Sequence, residues 1–215
     1  IPEDEREKFD SLPAQYSHLY LCIAGELAAV ICIFDPLRAE AKDAIRALHA
    51  CGISKVVMMT GDNRRTAASV AEEVGVDEFY AEVLPEDKAA FIRREKAAGR
   101  TVIMIGDGVN DSPALSEADA GVAISTGAAI AREIADITIA SEDLFELVTL
   151  RRISEALMGR IHRNYRFIVG FNLGLIVFGV AGLLPPTTSA LLHNASTLAI
   201  SLKSMTNLLP DKKKI

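Results

Sequence analysis

Short apolar runs alternate with helical patterns from residue 19 to residue 140, and this rhythm sets the first expectation of the fold. Residues 19–24 and 27–34 are apolar runs parted by Gly25-Glu26, which predicts two strands and a tight turn. Over 39–51, Ala39, Ala41, Ile45, Ala47 and Leu48 recur at helical spacing, and Gly52 suits the end of that helix. A strand over 55–59, a loop at 60–63 and a helix over 64–74 closed by Gly75 follow. Residues 79–83 read as a short strand, and Pro85 opens a helix to about residue 98. The rhythm continues with a strand at 101–105, a loop at 106–111 and a short helix at 112–118. Strands at 120–124 and 136–140 then enclose a helix at 128–135. Such alternation predicts an α/β fold with a parallel sheet covered on both faces. Its chemistry belongs in the loops at the carboxyl ends of the strands.

The pattern changes after Leu144. Residues 144–167 are amphipathic and basic, with Arg151, Arg152, Arg160, Arg163 and Arg166. Residues 167–184 then carry no charge and sit near the lower limit for a bilayer span. Pro185-Pro186-Thr187-Thr188 reads as a turn, and 189–209 as a second, more polar candidate span before Lys212-Lys213-Lys214. Basic residues flank the outer ends of this pair while the turn has none, which predicts both ends, and the soluble domain, on the cytosolic side. A buried core hairpin is the competing reading, but it would need a larger protein around it.

Charge sharpens the division. Residues 1–150 carry 14 Lys and Arg against 27 Asp and Glu, whereas 151–215 carry 9 against 2. An acidic globule joined to a basic, apolar tail suits a membrane-attached domain, and no basic groove-reading motif points to nucleic acid. With 50% hydrophobic and 24% charged residues, the chain is neither disordered nor a small disulfide scaffold. Cys22, Cys32 and Cys51 lack metal or redox spacing and suit a reducing compartment. The acidic start without Met carries no signal peptide and is expected to be that of a fragment.

Three loops carry candidate chemistry. Gly106-Asp107-Gly108-Val109-Asn110-Asp111 follows an apolar strand, so Asp107 and Asp111 place two hard oxygen ligands across a glycine turn, suited to Mg²⁺ beside phosphate. An ordinary acidic turn also fits. Thr60-Gly61-Asp62-Asn63 offers a hydroxyl and a close-approaching amide to a phosphoryl group, or else a simple helix cap by Asp62 or Asn63. Lys88 stands in the first turn of a helix, where the macrodipole disfavours a cation, so it either neutralises a phosphoryl group or faces solvent.

Taken together, T-G-D-N, P-E-D-K and G-D-G-V-N-D-S-P-A-L resemble motifs of the haloacid-dehalogenase superfamily, and more narrowly the phosphorylation domain of P-type ATPases. D-P-L-R at Asp35–Arg38 and the stretch 125–136 share that resemblance, which covers essentially the whole chain. It implies an incomplete Rossmannoid parallel sheet followed by two transmembrane helices. The implied layout is the end of a nucleotide-binding domain and hinge at 1–34, a phosphorylation domain at 35–148 and a connector helix at 149–166. Spans at 167–184 and 189–209 and a cytosolic tail at 210–215 complete it. Two spans after the domain suit the heavy-metal, or type IB, branch, with a potassium-pump-type subunit as the alternative.

The resemblance also implies roles. Mg²⁺ would be held by Asp107 and Asp111, ATP would be the phosphoryl donor, Thr60 and the Gly61 amide would hold phosphoryl oxygens, Asp62 would belong to the same catalytic loop, Lys88 would offset charge and Asn110 would fix its loop. The family's nucleophile, the Asp of D-K-T-G-T, has no counterpart here, and Asp35 is read as structural. The chain alone is therefore expected to be inactive and to need the rest of the pump (actuator, nucleotide-binding domain, other spans) and a lipid bilayer as partners. In the last span, His193, Asn194 and Thr197 are candidate pathway residues, although hydrogen bonding between helices would equally explain Ser196, Thr197 and Ser201. Imidazole and oxygen donors favour Zn²⁺ or Mn²⁺ as the transported ion over Cu⁺, with Cd²⁺ and Co²⁺ left open. The rivals are a membrane-tethered phosphatase using Asp35 and a non-catalytic Mg²⁺-binding partner domain.

Overall fold

The computed structural model describes residues 11–13, 16–33, 36–106, 109–124, 133–139 and 143–209. Asp35, Asp107, most of the 125–136 stretch with its expected helix, and the tail lysines lie outside these residues. The chain forms two compact units, Ile1–Val148 and Thr149–Ile215.

The first unit opens with an antiparallel hairpin, β1 (Ser17–Ile23) and β2 (Glu26–Ile33). Ala24 and Gly25 form its two-residue turn with φ of 55° and 89°. Positive φ at both positions gives the turn the twist that two paired strands need. Five parallel strands follow among the described residues. Helix α1 (Ala41–Ala50) leads to β3 (Val57–Met59), α2 (Arg64–Val74) and β4 (Glu78–Tyr80). Then come α3 (Pro85–Ala97), β5 (Ile103–Gly106), α4 (Ser112–Glu117), β6 (Ala120–Ile124) and β7 (Ile137–Ile139). The side chain of Asn63 accepts the Thr66 N–H and Gly75 closes α2 in the left-handed conformation, so that helix has the bounds its sequence predicts.

Two expectations need correction. The strand expected over 79–83 stops at Tyr80, because Glu82 turns the chain at φ 56° and the Val83 N–H donates to the Thr60 carbonyl. Nor do the described strands form one sheet: β3 pairs with β4, while β5, β6 and β7 form a second parallel sheet. Met59 of β3 nevertheless packs against the core cluster of Ile92, Met104, Ala114, Leu115 and Ala123. Among the described residues β3 and β5 each have one strand neighbour.

A recurring aspartate fixes the register of every parallel pair. Asp77 accepts the Val56 N–H at 2.6 Å, Asp119 that of Val102 at 2.8 Å, and Asp136 that of Gly121 at 2.8 Å. Each aspartate stands just before one strand and satisfies an amide at the start of its neighbour. Accepting that amide, and pairing with Lys96, holds the Asp119 carboxyl below the ordinary aspartate range. A carboxyl depressed on folding stabilises the fold above its unfolded value near 3.9 and loses that contribution as pH falls through its folded value. Asp119→Asn is therefore expected to lower Tm at pH 7 and to shrink the further loss of Tm below about pH 4, both read from thermal melts across pH.

In the second unit the backbone does not break where the connector is expected to give way to the first span. One helix, α5, runs from Phe145 to Val180. The change at Arg166–Phe167 from charged to apolar alters what the helix touches, not its backbone, and no proline interrupts it. It stops short of Leu184, with Gly182 left-handed at φ 73°. Helix α6 spans Pro186–Ser204 instead of 189–209, since proline is well placed in a first turn. The uncharged part of α5, 167–180, rises only about 21 Å, and among the described residues no helix is long and apolar enough to cross a membrane.

The two helices are latched at two levels. Asn172 Oδ1 accepts from His193 Nδ1 at 2.9 Å, and Asn164 Nδ2 donates to Ser204 Oγ at 2.9 Å. The Arg160 guanidinium donates to the carbonyls of Ser204, Thr206 and Asn207 at 2.8, 2.6 and 2.9 Å, closing the end of α6. Arg160→Met keeps the stem and removes these bonds. It is expected to speed amide exchange in the last turn of α6 by about tenfold, with the central turns of α5 unchanged in the same exchange experiment.

Candidate active site

The first candidate loop caps β3. The Thr60 hydroxyl donates to Asp62 Oδ2 at 2.8 Å and its oxygen accepts the Asp62 N–H at 3.1 Å. Asn63, not Asp62, caps the helix, which leaves the Asp62 carboxylate to hold Thr60. A Cβ at Gly61 would meet no atom within 4 Å, so its backbone borders open space. The segment leading into α3 braces this loop, with Glu82 N–H on the Asp62 carbonyl at 2.9 Å and Val83 N–H on the Thr60 carbonyl at 3.0 Å. The Thr60 loop is thereby tied to the segment that carries Lys88.

The second loop follows β5. A short 3-10 turn, Val109–Asp111, leads into α4, and Asn110 on it is exposed. Asp111 holds the N-cap position of α4 yet makes no capping bond. Its Oδ1 accepts from Lys88 Nζ at 2.8 Å, and both side chains are largely buried, 15% and 13% exposed. The unfavourable place of Lys88 at a helix start is thus offset by a carboxylate. Gly106 makes room for that carboxylate: a Cβ there would lie 2.6 Å from Asp111 Cβ and 2.8 Å from its Oδ2. The strand must end in glycine for Asp111 to sit where it does.

Lys88 and Asp111 are therefore brought together, and Thr60, Gly61 and Asp62 share a second loop at the end of β3. Asp107 lies outside the described residues. Among those described, no group of three or more His, Cys, Asp or Glu is placed to hold a metal ion. Asp111 does fit a magnesium ligand in chemistry: a hard carboxylate, one oxygen on Lys88 and the other over the cradle at Gly106. In the second unit the structure links His193 with Asn172, a partner the sequence reading did not assign. Ser196 and Thr197 both donate to the His193 carbonyl and Ser201 to that of Thr197, so these hydroxyls serve their own helix instead of joining two. Asn194 is exposed one position along.

The scaffold is a parallel α/β fold that sets a hydroxyl and a paired ammonium and carboxylate in loops and a first helical turn after its strands. The haloacid dehalogenase-like hydrolase family model matches residues 3–119, and the chain belongs to that family. Within it, the chain matches heavy-metal P-type ATPases. It is 46% identical over 176 residues to the copper-transporting ATPase 2 of Rhizobium meliloti, covering 82% of this chain and 21% of that protein. It is 40% identical over 183 residues to the manganese-exporting P-type ATPase of Mycobacterium bovis, covering 85% and 26%. A crystal structure of a zinc-transporting PIB-type ATPase in the E2.Pi state superposes with a TM-score of 0.82 at 30% identity, over 95% of this chain and 34% of that one. The chain thus spans about a quarter or less of the curated relatives' length.

Proposed function

We propose that the chain supplies the phosphorylation domain and a membrane hairpin of an ATP-driven exporter of a transition-metal ion. The observation that carries this reading is the Lys88–Asp111 pair beyond the end of β5, together with Met59 of β3 packed on the same core cluster and no ladder joining the two strands. A further strand between β3 and β5 would complete one sheet and bring a nucleophilic aspartate to the same edge. The D-K-T-G-T segment of this family has those properties, and this chain lacks it.

Within such a pump the residues divide the work. Lys88 offsets negative charge at the transferring phosphoryl group, where preorganised electrostatics supply much of catalysis. The Thr60 hydroxyl, released from Asp62, and the Gly61 amide hold phosphoryl oxygens, while Asp62 keeps that hydroxyl oriented beforehand. Asn110 fixes the second loop. Asp107 and Asp111 would hold Mg²⁺, which supplies charge neutralisation between donor and acceptor oxygens. Lys88 must then share Asp111 with the incoming cation.

For the transported ion, Asn172 fixes the His193 tautomer by accepting from Nδ1, which leaves the Nε2 lone pair of the neutral ring for a cation. Nitrogen and oxygen donors suit Zn²⁺ or Mn²⁺ better than Cu⁺. Asn194 and Thr197 are retained as pathway candidates on the same helix. The hairpin spans the bilayer with the soluble domain on the cytosolic side, its short apolar length met by local thinning of the bilayer. The test is metal-stimulated ATP hydrolysis by the pump carrying this chain. Zn²⁺ or Mn²⁺, not Cu⁺, should stimulate, and His193→Ala should reduce the response. Stimulation by Cu⁺ alone would overturn the ion assignment.

A further inference from the structure

The hairpin carries cations that no carboxylate among the described residues answers. Asn164 meets Ser204 and, two turns on, Asn172 meets His193, an antiparallel register that brings Lys203 level with Arg163. Arg163, Arg166 and Lys203 are all exposed, and among the described residues none of the three forms an ion pair. Arg166 donates only to the His162 carbonyl, at 3.4 Å, and the Arg163 guanidinium lies back over Gly159. The neighbouring cations are differently engaged: Arg151 pairs with Glu155 and Arg160 closes α6.

These three side chains stand at a sharp frontier. No Asp, Glu, Lys or Arg occurs between Arg166 and Lys203. Beside the cations, Tyr165, Phe167, Ile168 and Val169 are exposed. A collar of unpaired cations with an aromatic at the edge of an uncharged hairpin is complementary to one partner, a lipid surface bearing anionic phosphates.

We propose that Arg163, Arg166 and Lys203 form a binding collar for the headgroups of anionic phospholipids. This rests on the bilayer reading above and adds lipid selectivity to it. Each cation near an anionic surface strengthens association roughly fivefold, so three amount to about a hundredfold. The arginine forks donate in pairs to phosphate oxygens, and Lys203 completes the ring from the other helix.

The test is flotation of the full chain with vesicles of pure phosphatidylcholine and of phosphatidylcholine mixed with phosphatidylglycerol, at fixed salt. The chain is expected to associate with both, and about a hundredfold more strongly with the anionic vesicles. The triple variant R163Q/R166Q/K203Q should keep its association with phosphatidylcholine, which also reports an intact hairpin, and lose the anionic advantage. Equal association of the unaltered chain with both vesicles would overturn the collar and leave the bilayer reading standing. So would a triple variant that keeps the advantage. Association with neither would overturn both.

Discussion

Alanine at Gly106 is expected to be among the most damaging single-methyl changes in this fold. Its Cβ would fall 2.6 Å from that of Asp111 and 2.8 Å from the carboxylate oxygen Oδ2, far inside van der Waals contact. Neither atom is the end of a flexible chain that could swing away, because Asp111 is 9% exposed and anchored at Oδ1 by Lys88. Either the β5 terminus shifts or the turn that carries Asp111 does. Overpacking of this kind costs about 1–3 kcal/mol, and it moves the carboxylate proposed to hold Mg²⁺. Thermal melts of the chain should record the loss of stability. The complete pump carrying G106A should lose ATP-dependent phosphorylation more severely than stability alone accounts for. A variant that melts normally and is phosphorylated normally would mean that Asp111 is not held where its function requires.

Lys88→Ala is the second large effect, and it separates structure from chemistry. Removing the ammonium leaves a largely buried carboxylate without its partner, a penalty of about 1–3 kcal/mol. Lys88→Ala with Asp111→Asn relieves that penalty and should recover much of the stability. It should not recover phosphoryl transfer, because it lacks both the Lys88 charge and a carboxylate proposed to hold Mg²⁺, and loss of one preorganised charge already costs about 10²–10³-fold in rate. The measurements are chain melting for the first quantity and the rate of phosphoenzyme formation in the pump for the second. Parallel recovery of both would reduce Lys88 to a structural cation.

What the sequence made legible follows from how local each signal is. The bounds of α2 and β6 match the sequence expectation because Asn63, Gly75 and the apolar run at 120–124 act within a few residues. The aspartate clasps were not legible: Asp77, Asp119 and Asp136 reach back 21, 17 and 15 residues, and no periodicity links partners at such separations. An aspartate immediately before each of three parallel strands was the available sign. The same limit explains the missed Asn172–His193 bond between helices. The division of α5 into connector and span corresponds to no break in its backbone. Hydropathy reports the medium around a helix, whereas its continuity depends on the backbone: no proline stands between Phe145 and Val180, and the four glycines there are tolerated. In the candidate site, the motif spacing placed Lys88 and the two loops at strand ends. That Asp111 needs glycine at 106 is a steric fact visible only in three dimensions.

The central claim is that the edges of β3 and β5 receive a strand bearing a nucleophilic aspartate, which the Lys88–Asp111 pair and the Thr60 loop then serve. Joining to this chain an upstream segment that carries both D-K-T-G-T and the rest of the nucleotide-binding domain, and incubating with Mg²⁺ and γ-labelled ATP, tests it directly. The prediction is one acid-stable, hydroxylamine-labile label on the joined protein, abolished by Asn at the segment's aspartate and strongly reduced by Lys88→Ala. A folded joined protein that takes up no label would contradict the account, as would labelling of the present chain alone that depends on Asp35.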